Sequence, residues 1–191
     1  LYIHTPWCVR KCPYCDFNSH PLRGVLQADH YIAALLTDLD STARYQAGRS
    51  FSSVFFGGGT PSLFSAANIG RLLERLEREH LLDNTPEITL EANPGSAEAS
   101  RFRAYRDCGV NRLSIGVQSF DDRALKALGR VHDSAQARAA CASASAAGFD
   151  NFNIDLMHGL PDQDASGALA DLDRAIAGSY THLTLPTIDP F

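Results

Sequence analysis

The chain has 191 residues, 45% of them hydrophobic and 20% charged, which is the composition of a globular domain with enough apolar residues for a core. Its 17 basic and 22 acidic side chains leave a net charge of −5, which argues against a partner held through nucleic-acid phosphates. No apolar run approaches the length of a membrane span and no signal peptide is legible, while Leu1 is not an initiator methionine, so the sequence reads as a fragment of a longer protein.

Leu1 to His4 is apolar and aromatic and predicts a first strand. It runs into Cys8-Val9-Arg10-Lys11-Cys12-Pro13-Tyr14-Cys15, three thiols in eight residues. The spacing of Ile32, Leu35, Leu36 and Leu39 predicts a helix over Leu26 to Tyr45. Ser53 to Phe56 is a second strand, and Gly57-Gly58-Gly59-Thr60-Pro61 follows it. Ala66 to Glu79 is a helix with Ser65 as its N-cap and a stripe of Ile69, Leu72, Leu73 and Leu76. Glu87 to Glu91 is a third strand, then comes a helix from Ala97 to Asp107 closed by Gly109, and a fourth strand from Arg112 to Val117. Helices from Asp122 to Leu128 and from Ser134 to Ala147 precede a fifth strand, Phe152 to Leu156, and a last helix, Ala165 to Ala177.

Alternating strands and helices imply βαβ units, a parallel sheet and the α/β class. Each strand delivers a polar or glycine-rich group at its C-terminal end: His4, Gly57 to Thr60, Glu91, Gln118 and Asp155. An open doubly wound sheet needs such endings only near its switch point. A barrel builds one shared site from all of its strand ends. The expected fold is therefore a partial, TIM-like barrel of about five βα units.

Clustered thiolates select zinc or iron–sulfur, and geometry alone does not separate the two. Cys8 and Cys12 with His4 or His20 would make a zinc knuckle. Three thiolates on a [4Fe–4S] cluster would leave one iron open for a ligand. Cys108 and Cys141 stand singly in helical segments and read as inert buried thiols; an odd total of five cysteines in this pattern points to a reducing, cytoplasmic setting. Glu91 and Asp155 lie on buried strands, where an unpaired carboxylate is costly, so each wants a partner or a ligand. The bland readings are structural hydrogen bonds for these two, a loop cap for Gln118, a tight turn for the glycines and a solvated surface group for Arg130.

Cys-x3-Cys-x2-Cys with Tyr14 before the third cysteine resembles the radical S-adenosylmethionine (SAM) superfamily. Leu1-Tyr2-Ile3-His4-Thr5-Pro6-Trp7-Cys8, Phe56-Gly57-Gly58-Gly59-Thr60-Pro61-Ser62, Glu91-Ala92-Asn93-Pro94, Arg112 to Gln118 and Asn153 to Pro161 resemble the oxygen-independent coproporphyrinogen III oxidase family, in that family's order. The resemblance implies that Cys8, Cys12 and Cys15 hold the cluster. It further implies that Tyr2, Tyr14, Gly58, Gly59, Thr60, Glu91, Gln118, Arg130 and Asp155 contact SAM, and that reduction of the cluster can cleave its sulfonium. The oxidases carry a further cysteine two residues after the third, where this chain has Phe17. Pro13 to His20 and Asp155-Leu156-Met157-His158-Gly159 are similar to the heme-chaperone branch instead. That branch implies heme in the full-length protein, a reductant protein, and cytochromes as recipients of heme. The alternative is oxidative decarboxylation of a porphyrinogen.

After Gly178 the family pattern is lost, and Ser179 to Thr187 matches what a transposase-type sequencing adapter would encode in frame. Residues 1–178 are thus expected to be an incomplete core and residues 179–191 a non-native tail; the other reading is a divergent sixth strand. A foreign tail would leave the fifth strand with an open edge and the fragment prone to aggregate.

Overall fold

The structure is a computed structural model and describes residues 1–42, 48–178 and 182–184. After β1 (Tyr2–Thr5), two very short strands, β2 (Trp7–Cys8) and β3 (His20–Pro21), pair in parallel and close the cysteine loop between them. Then come α1 (Ala28–Thr42), β4 (Phe51–Gly58), a 3-10 turn at Pro61–Leu63, α2 (Ala66–Arg78) and β5 (Leu82–Ala92). Two short helices, α3 (Ser96–Ala99) and α4 (Phe102–Asp107), lead to β6 (Arg112–Gln118). α5 (Asp122–Ala127), α6 (Ser134–Ala146), β7 (Phe152–Leu156), α7 (Ala165–Ala177) and β8 (His182–Thr184) follow. The main sheet runs β1-β4-β5-β6-β7-β8, and every neighbouring pair is parallel. All C-terminal strand ends therefore share one rim.

Successive residues of a strand point to opposite faces, and here the two faces differ in chemistry. Ile88, Leu90 and Ala92 of β5, Leu113, Ile115 and Val117 of β6, and Phe152, Ile154 and Leu156 of β7 are buried in one core with Ile69, Leu72, Leu73 and Leu76 of α2 and Ala137, Ala140 and Ala144 of α6. The alternate residues, Thr89, Glu91, Arg112, Ser114, Asn153 and Asp155, lie on the other face and are polar. The helix-covered face supplies the hydrophobic stabilisation, and the opposite face is left to carry chemistry.

Local signals account for most boundaries. Ser65 and Asn68 form a reciprocal capping box at the start of α2, and Asp133 and Gln136 do the same for α6. Buried Asp171 of α7 accepts from Ser119 Oγ at 2.6 Å and from the Phe120 amide at 2.8 Å, tying α7 to the exit of β6.

The differences from the sequence reading have physical causes. Helix 97–107 is two helices, broken where Ser100 Oγ donates back to the Ala97 carbonyl and Arg101 turns to the Ser62 carbonyl. β5 starts five residues before Glu87; Pro86 sits where its register with β4 shifts, between Phe51–Leu82 and Ser53–Glu87. Gly57 and Gly58 are inside β4 rather than after it. The end of the helix expected to reach Tyr45 lies outside the described residues. β8 falls within the segment expected to be foreign, and it pairs with Asn153–Asp155 of β7. An open parallel edge accepts any chain of strand character, so the expected bare edge is covered at those positions.

Candidate functional site

The cysteine loop is held at both ends. The His20 amide donates to the Pro6 carbonyl at 2.7 Å and the Leu22 amide to the Cys8 carbonyl at 2.8 Å. Within it the Cys15 amide donates to the Cys12 carbonyl at 3.1 Å, a tight turn over Pro13-Tyr14. Lys11 Nζ donates to the Phe17 and Ser19 carbonyls at 3.0 and 3.1 Å. His4 ties the loop to β1. Its Nε2 is 2.9 Å from the Asn18 carbonyl, which only accepts, so Nε2 carries the proton and Nδ1 accepts the Tyr2 hydroxyl at 3.0 Å. Cys8 is buried, and Cys12 and Cys15 are half-buried.

The glycines pack against this loop. The Gly59 amide donates to the Thr5 carbonyl and the Thr60 amide to the Trp7 carbonyl, each at 2.7 Å. A Cβ on Gly59 would stand 2.5 Å from the Trp7 carbonyl oxygen. Gly58 has φ +114°, and a Cβ there would meet the His4 ring at 2.5 Å. Only glycine permits both the backbone conformation and the approach.

Glu91 and Asp155 sit on the polar face. The Gly58 amide donates to Glu91 Oε2 at 3.1 Å. Burial pushes the Glu91 carboxyl up to about 7, with the Gly58 amide opposing and the Asp155 carboxylate adding to the rise. Asp155 is also pushed up by burial, against donation from Ser114 Oγ at 3.4 Å and Asn153 Nδ2 at 2.9 Å. Arg112 holds Asn153 Oδ1 at 2.7 Å and so orients that donor.

Arg130 is the hub. Nη2 donates to Asn93 Oδ1 at 2.7 Å and to the Gly116 carbonyl at 2.8 Å, while Nη1 lies 3.5 Å from Cys12 Sγ and 3.4 Å from the Tyr14 hydroxyl. Asn93 Nδ2 in turn donates to Thr60 Oγ1 at 3.1 Å. One guanidinium thus links the cysteine loop, the loop after β5 and the end of β6. The solvated-surface reading of Arg130 is overturned: a loop residue remote in sequence from Cys12 is drawn inward by four acceptors. Burial pushes the Tyr14 phenol up to about 12, against Arg130 and reinforced by Cys12, so it remains protonated. Gln118 ends β6 with φ +69°, and its carbonyl accepts from the Met157 amide at 2.8 Å. Tyr2 rests beside Phe55, half-exposed, with burial and Glu91 raising its phenol.

The donor set fits the group that the cysteine spacing implies. Three soft thiols share one loop, and a cation faces one of them. Arg130 Nε is buried without a hydrogen-bond partner, and Glu91 Oε1 has no protein donor among the described residues. Among the described residues no three His, Cys, Asp or Glu side chains converge as a cage for a single metal ion. A polynuclear cluster does not require that convergence, because each thiolate takes a different iron. A larger cleft of about 950 Å³, lined by Asp40, Arg49, Glu79, His80 and Asp83 among others, opens at the N-terminal ends of β4 and β5, away from all of these groups.

Asn93, Asn153, Ser114, Arg112 and His132 were not singled out by the sequence reading. Period-two spacing back from Asp155 finds Asn153, forward from Glu91 finds Asn93, and back from Gln118 finds Ser114 and Arg112; His132, whose Nε2 is 3.0 Å from the Val117 carbonyl, has no such signal. Cys141 is buried in the core, as read, whereas Cys108 is half-buried against its edge, with its thiol pushed up by what burial it has.

A family model described as Radical SAM superfamily matches residues 2–172. Heme chaperone HemW of Escherichia coli (strain K12) is 52% identical over 184 residues, covering 96% of this chain and 49% of that protein. Radical S-adenosyl methionine domain-containing protein 1, mitochondrial, of Mus musculus is 40% identical over 185 residues, covering 97% and 42%. Among solved structures, that of the Escherichia coli coproporphyrinogen III oxidase HemN, a radical SAM enzyme, superposes with a TM-score of 0.89 at 32% identity, covering 100% of this chain and 44% of the other. The expected partial barrel is thereby confirmed. The chain spans about half the length of the curated relatives it matches. With a family match running from β1 into α7, the chain belongs to the radical SAM superfamily, whose cofactors are a [4Fe–4S] cluster and SAM.

Proposed function

We propose that this chain is the cluster- and SAM-binding core of a heme chaperone like HemW. The observation that carries it is the convergence of the Cys8–Cys15 loop, the Gly58–Thr60 wall and Arg130 at the rim where the strands end. Cys8, Cys12 and Cys15 are the proposed thiolate ligands. When bound, the cluster supplies an open iron for the methionine end of SAM and an electron for its sulfonium. Arg130 takes the methionine carboxylate, and bare backbone at Gly58 and Gly59 lets that end approach. Glu91, Gln118 and Asp155 take the ammonium and ribose hydroxyls as acceptors. Tyr2 and Tyr14 flank the ligand.

The chaperone is favoured over an oxidase by Phe17 standing where the oxidases have a cysteine, and by 52% identity to HemW against 32% to HemN. Heme binding, a reductant protein, delivery to cytochromes and a cytoplasmic setting belong to this reading of the full-length protein. Among the described residues no helix is long and apolar enough to cross a membrane. The test is to incubate the full-length, cluster-loaded protein with heme and, separately, with coproporphyrinogen III, SAM and a reductant. A stoichiometric heme absorbance band without porphyrinogen consumption is expected. Decarboxylated porphyrinogen with no heme band would contradict it.

A further inference from the structure

The cysteine loop buries a hydroxyl that the cofactor site as described does not use. Ser19 is 1% exposed. A hydroxyl taken out of water needs a hydrogen-bond partner. Among the described residues Ser19 Oγ has one, Cys15 Sγ at 3.7 Å. The backbone around it is fixed on every side. The Ser19 amide donates to the Phe17 carbonyl at 2.6 Å, and the Ser19 carbonyl accepts from Lys11 Nζ at 3.1 Å. The preceding carbonyl, of Asn18, accepts from His4 Nε2 at 2.9 Å, and the following amide, of His20, donates to the Pro6 carbonyl at 2.7 Å. Contacts from β1, its exit and the loop itself thus hold one O–H beside one sulfur. Either group can donate while Cys15 is a thiol. A thiolate on iron carries no proton, so there the hydroxyl donates and the sulfur accepts.

We propose that Ser19 is a positioning residue of the cluster, whose hydroxyl donates to the Cys15 thiolate and raises the cluster's reduction potential. A donor to a ligand sulfur draws charge away from it. The reduced cluster carries one more negative charge than the oxidised one, so it gains more from the donor. One electron enters and the cluster goes from the 2+ to the 1+ state, while the hydroxyl keeps its proton; dithionite supplies the electron in the test below. Ser19 acts on a different sulfur from Arg130, whose Nη1 faces Cys12 Sγ at 3.5 Å, so neither donor replaces the other. This rests on the cluster being held by Cys8, Cys12 and Cys15.

The test is an anaerobic redox titration of the full-length, cluster-loaded protein with dithionite and mediator dyes, with the EPR signal of the 1+ state as readout. Iron content and cluster absorbance of the wild type are checked first; their absence would overturn the cluster assignment and this proposal together. Ser19→Ala is expected to load iron as the wild type does. At a fixed potential its ratio of reduced to oxidised cluster is expected to fall about three- to tenfold, the larger figure being a shift of about 59 mV for one electron. Ser19→Thr, which keeps a hydroxyl, is expected to stay near the wild-type ratio. Equal potentials in the wild type and Ser19→Ala, both with full iron, would overturn the proposal and leave the cluster assignment standing. So would loss of iron in both Ser19→Ala and Ser19→Gly, since the hydroxyl would then hold the shape of the loop rather than set the potential.

Discussion

Arg130 Nη1 lies 3.5 Å from Cys12 Sγ, across 118 positions of sequence. The same fork serves Asn93 and the Gly116 carbonyl. A lysine has the charge but not the planar geometry to serve these acceptors together. Arg130→Lys is expected to keep the fold and weaken SAM binding by roughly 10- to 100-fold, the worth of one or two charge-assisted hydrogen bonds. Calorimetric titration of SAM into the cluster-loaded variant measures this; an unchanged Kd would remove Arg130 from the site.

Glu91 gives a pH dependence of defined sign. Its carboxyl, near 4.5 when unfolded, rises to about 7 in the fold. The folded state therefore holds the proton more tightly, and this contribution to stability is full below about pH 4.5 and lost as pH rises through 7. Glu91→Gln keeps an acceptor for the Gly58 amide and needs no proton. It is expected to stabilise the ligand-free chain by about 1–3 kcal/mol at pH 8 and by nothing near pH 4.5. SAM binding runs the other way, weakening in the wild type below pH 7 as the carboxylate is lost. Chemical denaturation at the two pH values checks the first effect, and a pH-independent difference would contradict the burial account.

His132 behaves oppositely. Burial and the neighbouring Arg130 lower it from 6.5 to about 4, against the Val117 carbonyl. Its contribution is full above pH 6.5 and lost as pH falls toward 4. His132→Gln retains an N–H for Val117 and is expected to recover about 2 kcal/mol of stability at pH 4.5 relative to its effect at pH 7.5. Parallel acid limbs in the two proteins would refute it.

One glycine of the wall and one of α2, as its control, are expected to respond to alanine with opposite signs. Gly59→Ala drives a methyl into the Trp7 carbonyl next to Cys8 and is expected to cost about 1–3 kcal/mol and to lower iron incorporation. Gly70→Ala, in α2 with its Cβ at an ordinary 3.5 Å from Cys108 Cβ, is expected to stabilise by about 0.5–1 kcal/mol. Thermal melts of both distinguish local crowding from a general intolerance of substitution.

Hydrophobic period and capping chemistry made the helices and strands legible, because Ser65 or the Ile69–Leu76 stripe acts within a few residues. The ring of strand-end groups was legible for the same reason: parity and strand direction are local. Arg130 was legible only through the family resemblance, and its own residue type and spacing gave a surface group, because its exposure is decided by Asn93, Gly116 and Cys12, three separate segments that only the fold assembles. The break in helix 97–107 also escaped, since Arg101 leaves the helix for the Ser62 carbonyl.

The central claim is that three thiolates hold a cluster with one iron open to SAM. Anaerobic reconstitution of the chain, followed by EPR of the reduced sample before and after SAM, tests it most directly. A [4Fe–4S]⁺ signal that shifts on adding SAM in the wild type and is lost in Cys12→Ala is the expected result. Zinc in place of iron, or a cluster signal indifferent to SAM, would contradict the account.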